Sequence, residues 1–184
     1  MRTVVIVPPL AAVSLNEAKR HLRVDWPEDD AFIASLIAAA QGHIDGPEGW
    51  LGRSIGLQTL EARLDAFCDA MRLPYEPVVR IVSVRYLDAA NVVSAVPVGD
   101  YEVRGSLLGP SFGHRWPDAL ATEEAVRVEF VAGYEVVPAP IRAAILLMVG
   151  DLYANRESTA EGTKAPINMP TTVERLLWPY RVWS

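Results

Sequence analysis

The chain has 184 residues, 51% apolar and 22% charged, the proportions of a foldable globule and not of a disordered segment. Its 17 Lys and Arg against 23 Asp and Glu leave a net charge of −6, which argues against a whole-surface grip on nucleic acid, whose phosphates call for a basic face. Cys68 is the single cysteine, so an intramolecular disulfide is excluded.

Met1 to Leu10 carries one positive charge and a short apolar run that breaks at Pro8-Pro9. No export-type core follows, so the segment reads as an extended strand or arm and not as a signal peptide. Ser14-Leu15-Asn16-Glu17 is a capping box, with Ser14 as N-cap and Glu17 reaching back. The helix it starts places Leu15, Ala18 and Leu22 on one face and ends near Val24. Asp25-Trp26-Pro27-Glu28-Asp29-Asp30 is a turn leading into an acidic first turn, which suits the positive end of a helix dipole. Phe32, Ile33, Leu36, Ile37, Ala40 and Ile44 then recur at helical spacing and predict a helix over 28–45. Gly46-Pro47-Glu48-Gly49 stops it.

From Leu57 the period changes. Gln58, Leu60, Ala62, Leu64 and Ala66 alternate with Thr59, Glu61, Arg63 and Asp65 as in a strand, although Leu57, Leu60, Leu64 and Phe67 also fit a helix. Val78 to Leu87 is β-branched and bounded by Pro77 and Asp88, a strand signal. Asp88-Ala89-Ala90-Asn91 supplies a turn, and Val92 to Val96 its hairpin partner. Tyr101 to Val103 and Ala125 to Val131 add short strands. Between them, Gly105 to Thr122 reads as an ordered loop anchored by Phe112 and Trp116.

Ala143 to Val149 are seven uninterrupted apolar residues inside a predicted helix from Pro140 to about Arg156. A membrane span takes about 20 such residues, and Arg142 and Asp151 close this run far earlier. A helix apolar around its circumference must be covered on several sides, so this one is either the central strut of the core or a strut shared with a neighbouring subunit. Glu157 to Met169 is polar and reads as irregular and mobile. Thr171-Thr172-Val173-Glu174 offers a second capping box for a short helix carrying Leu176 and Leu177, which Pro179 ends.

Chemistry is sparse. His21, His43 and His114 are scattered, without metal-ligand spacing, so no metal site or cofactor is expected. There is no G-x-S-x-G elbow, and Cys68 has no cationic sequence neighbour to lower its pKa, so no catalytic residue is assigned. Gly46 to Ser54 lacks the glycine spacing and lysine of a phosphate loop. A helix-turn-helix over 14–45 would open its recognition helix with Glu28, Asp29 and Asp30, the wrong sign for DNA. A small hydrolase or ligand-binding module would need convergent polar groups in the β segment, and no set presents itself.

Four segments in order resemble the head–tail connector (adaptor, or head-completion) proteins of long-tailed bacteriophages and gene transfer agents. They are Ser14 to Val24 with the acidic turn and Leu36 to Ala40; Gln58 to Asp65; Val131-Ala132-Gly133-Tyr134 with Val137 to Leu147; and Asn155-Arg156-Glu157 with the ending Leu176 to Arg181. One departure is Gly46-Pro47-Glu48-Gly49-Trp50, which interrupts a helix that such proteins tend to continue. The resemblance implies an α+β fold: a helical bundle built from N- and C-terminal segments with an inserted antiparallel β subdomain. On that plan residues 1–56 are the arm and first helices, 57–135 the β insertion, and 136–184 the last helices and a docking tail. It further implies a non-enzymatic ring, usually of 12 copies, below the portal protein in the neck of the virion, after assembly in the host cytoplasm. Such a ring extends the channel for double-stranded DNA, which passes without sequence-specific binding, and receives a tail-side connector, stopper or tail terminator; no membrane is involved. The excess acids suit the walls of such a channel. Leu176, Leu177, Trp178, Tyr180, Arg181 and Trp183 are the candidate interface residues, and Trp, Tyr and Arg are types enriched at interface hot spots. They either fold back onto their own core or dock on the portal or a neighbouring subunit.

Overall fold

A computed structural model describes residues 1–155 and 169–182. The strands are β1 (Arg2–Val7), β2 (Gln58–Leu64), β3 (Met71–Arg72), β4 (Val78–Leu87), β5 (Val93–Ala95), β6 (Tyr101–Arg104), β7 (Leu107–Pro110) and β8 (Val126–Ala132). The helices are α1 (Leu15–Leu22), α2 (Asp30–Ile44), α3 (Ala139–Ala154) and α4 (Thr171–Leu177). The architecture is therefore α+β. The chain divides into a sheet unit, residues 1–10 and 53–135, and a helical unit, residues 11–52 and 136–184.

In the sheet unit, five antiparallel strands run in the order β1-β2-β8-β4-β5, and a second sheet runs β3-β7-β6. Period-2 alternation assigns the faces. Leu60 and Ala62 of β2 and Val126, Val128, Phe130 and Ala132 of β8 point to one side, where they join Val84, Met71, Leu73, Val96, Tyr101 and Leu108 in a buried cluster. Residues 1–10, grouped with the first helices by the sequence, instead belong to this unit. The reason is the β-branched run Thr3-Val4-Val5-Ile6-Val7, which pairs with β2 from Arg2↔Arg63 to Val7↔Thr59. Gly105 to Thr122 is not all loop either: Leu107–Pro110 pairs with β6 and with β3, a strand too short to leave a pattern.

In the helical unit, α1 begins with the expected box: the Ser14 hydroxyl accepts the Glu17 N–H at 3.3 Å, and Glu17 accepts the Ser14 N–H at 3.0 Å. The box expected at Thr171 does not form. Pro170 is the N-cap instead, and its carbonyl accepts the Glu174 N–H at 3.1 Å, with no side-chain cap. α3 packs against α1, α2 and α4 and buries Ile141, Ala144, Ile145, Met148 and Val149. It is not covered all round: Ala139, Ala143, Leu147 and Asp151 share one exposed stripe, with Leu147 at 38% exposure. α2 likewise buries Ile33, Ile37, Ala40 and Ile44 and ends at Ile44, with Asp45 as C-cap just before the Gly46-Pro47-Glu48-Gly49 turn. Residues 156–168, which take in the expected helix end at Arg156 and all but the last residue of the stretch Glu157 to Met169 read as irregular, and Trp183 lie outside the described residues.

Candidate interaction surfaces

The C-terminal residues singled out by composition divide into two groups. Val173 and Leu177, one helical turn apart on α4, are fully buried within the helical unit, and Leu176 is half-buried. The chain then turns through Trp178–Tyr180, leaving the Trp178 ring 59% exposed. Arg181 returns to stack its guanidinium over the Trp50 ring at 4.2 Å, and the Val182 N–H donates to the Leu51 carbonyl at 2.9 Å. Cation–π stacking fixes the Arg181 guanidinium in place over the Trp50 ring. Thus Leu177 works as a core residue, while Trp178 is a large aromatic held on a rigid turn and facing water.

A second surface is the outer face of the five-stranded sheet, which the sequence reading missed. Register places Arg2, Arg63, Arg127 and Arg85 directly opposite one another across β1, β2, β8 and β4. Like charges facing across a ladder repel, and carboxylates relieve most of them. Arg63 Nε lies 2.6 Å from Glu61 and its Nη1 lies 3.0 Å from Glu124; Arg2 meets Glu124 at 2.8 Å and Arg85 meets Glu129 at 2.7 Å. The bonds to Glu61 first and Glu124 second raise the Arg63 pKa further above its ordinary value. Arg127, exposed at the centre of the row, has no such partner among the described residues.

The third surface is a cleft of about 640 Å³ in the sheet unit, lined by Phe67, Cys68, His114, Trp116 and Asp118 among others. Trp116 stacks on Phe67 at 4.7 Å and donates its indole N–H to the Cys68 carbonyl at 2.8 Å, the anchoring expected of it. Phe112 does not anchor: the turn at Gly113, with φ of 82°, leaves its ring wholly exposed. The fold thus gathers Cys68 and His114, which the sequence leaves apart. His114 Nδ1 is 3.1 Å from Asp100, and among the described residues no base is hydrogen-bonded to the Cys68 thiol. Nucleophilic catalysis requires such a pairing. No group of three or more His, Cys, Asp or Glu among the described residues is placed to hold a metal ion. No described helix is long and apolar enough to cross a membrane.

No protein-family model and no curated protein matches the sequence. Solved structures do. A chain from the neck of an empty gene transfer agent particle, computed with C6 symmetry, superimposes with a TM-score of 0.77 at 24% identity, covering 100% of this chain and 97% of that one. The chain has the fold of a gene transfer agent neck component. A chain of the native gene transfer agent virion gives a TM-score of 0.70, and one from the native neck computed with C12 symmetry gives 0.71. Both are 22% identical and are covered to 97%. The likeness runs through both units, helices and sheet alike.

Proposed function

We propose that the chain is a structural head–tail connector of a tailed phage or phage-like particle. It forms a closed ring below the portal protein, since repetition about a rotation axis lets one folded chain line a channel. The ring extends the DNA channel and offers its far side to a tail-side connector, stopper or tail terminator. The observation that carries this reading is the end-to-end likeness to a neck chain, which spans both units and leaves 3% of that chain unmatched. C6 and C12 symmetry in the similar necks supports a ring of one repeated chain, with 12 copies as the expected number. The role is mechanical and not enzymatic.

Trp178 serves as the docking aromatic, with Leu176, Tyr180 and Arg181 around it and Leu177 holding the turn from inside. A net charge of −6 suits channel walls past which DNA slides without being held. The test is electron microscopy of the purified chain mixed with the portal of its own particle. An added ring of density, coaxial with the portal, is the expected result. A portal that stays bare at saturating chain overturns the proposal.

A further inference from the structure

The row Arg2–Arg63–Arg127–Arg85 is an unusual use of a sheet surface in an acidic protein. Four cations stand in direct cross-strand register, and two of the three neighbouring pairs, Arg63↔Arg127 and Arg127↔Arg85, share the arginine that has no carboxylate partner among the described residues. Glu61, Glu124 and Glu129 are committed to Arg63, Arg2 and Arg85. Arg80, paired with Val131 further along the same strands, is also exposed. The isolated chain gains nothing from opposing Arg127 to two arginines. An anion delivered from outside would turn that repulsion into attraction.

The same chain carries a matching surface. Asp25-Trp26-Pro27-Glu28 precedes α2 as an exposed turn. Its neighbours Asp29 and Asp30 are engaged within the unit, Asp29 by Trp26 Nε1 at 3.2 Å and by the Tyr153 hydroxyl, Asp30 by Lys19. Asp25 and Glu28 have no such partner among the described residues, and Trp26 between them is 50% exposed. Two free carboxylates flanking an indole are what an arginine row accepts, by charge-assisted hydrogen bonds and by stacking. Duplex DNA fits less well, because Glu61, Glu124 and Glu129 are interleaved with the row and repel phosphates.

We infer that the arginine row of one copy receives the Asp25–Glu28 turn of the next copy, with Arg127 as its focus. The two surfaces differ, so the contact is head to tail, the kind that propagates round a ring instead of stopping at a dimer. This inference rests on the ring reading above and names one of its contacts.

The experiment follows assembly of the full chain, alone and with portal, by native mass spectrometry and sedimentation. Arg127→Glu and Glu28→Arg should each weaken assembly by at least about tenfold in concentration. The double variant, which restores opposite charges in every copy, should recover most of that loss. Arg127→Glu should also leave the melting temperature of the monomer unchanged or higher, since it removes a like-charge contact. Assembly that survives both single reversals, or that is lost and not recovered in the double variant, overturns this contact while the ring reading stands. Failure of the wild-type chain to assemble at all, with or without portal, overturns both. Retardation of a short DNA duplex by the wild type and not by Arg127→Glu overturns the protein partner and reassigns the row to phosphate.

Discussion

Asp88 shows how one half-buried side chain sets a hairpin. Its Oδ1 accepts the N–H groups of Ala90 at 2.9 Å and Val92 at 3.0 Å, and its Oδ2 accepts the Ser94 hydroxyl at 3.3 Å. The Val92 bond, helped by Ala90 and Ser94, holds the carboxyl below its ordinary value of 3.8. All of these bonds favour the ionised form. A depressed folded-state pKa contributes stability above the unfolded value and loses it as pH falls through the folded one. Amide exchange at Ala90 and Val92, corrected for intrinsic rate, should therefore slow at neutral pH and accelerate as pH drops below 3.8. Asp88→Ala should abolish the protection throughout, while Asp88→Asn, whose amide oxygen still accepts, should keep part of it. Protection that is flat down to about pH 2 would show that the carboxylate does not hold the turn. This feature was legible in the sequence because its partners lie within six residues. The arginine row was not legible, since Arg2, Arg63, Arg85 and Arg127 become neighbours only through non-local strand register.

At the scale of elements, α3 separates two kinds of apolar residue that composition treats alike. Ile145 is fully buried and Leu147, two positions on, is 38% exposed. Ile145→Ala should destabilise the chain by about 2–5 kcal/mol through lost burial and a residual cavity. Leu147→Ala should stay within about 0.5 kcal/mol. Thermal or denaturant unfolding of the two variants checks the contrast, and equal losses would mean that Leu147 is also core. Apolar periodicity revealed that this segment is a helix, but three packing partners, α1, α2 and α4, decide which of its sides is dry. The same limit hid β3, a strand only because it pairs with the distant β7, which itself forms a tight hairpin with β6. At the end of β8, Gly133 adopts φ of 116°, and a Cβ there would stand 2.2 Å from the Gly56 carbonyl oxygen. Gly133→Ala should cost about 1–3 kcal/mol from backbone conformation alone, and more from the clash. Unfolding measurements test this too, and an unchanged midpoint would refute it.

For the whole molecule, the central question is which apolar surface belongs to the fold and which to assembly. Single exposed apolar residues are ordinary on any protein, so exposure alone decides nothing. What distinguishes Trp178 is that Leu177, its immediate neighbour, is locked in the core, while Arg181 is held on Trp50 and Val182 on Leu51. A large ring presented on a turn fixed at both ends loses little conformational freedom on binding, which is the condition for a hot spot. The two neighbours should therefore respond in opposite ways. Leu177→Ala should lower stability by about 2–5 kcal/mol, and with it the supply of folded chain. Trp178→Ala should leave stability within about 0.5 kcal/mol, yet reduce capture by portal at equal concentrations of folded chain. Unfolding curves and portal co-sedimentation, run on the same preparations, separate the two effects. Portal capture by Trp178→Ala equal to wild type would remove the tail from the docking surface, and the ring would then have to hold the portal through another face.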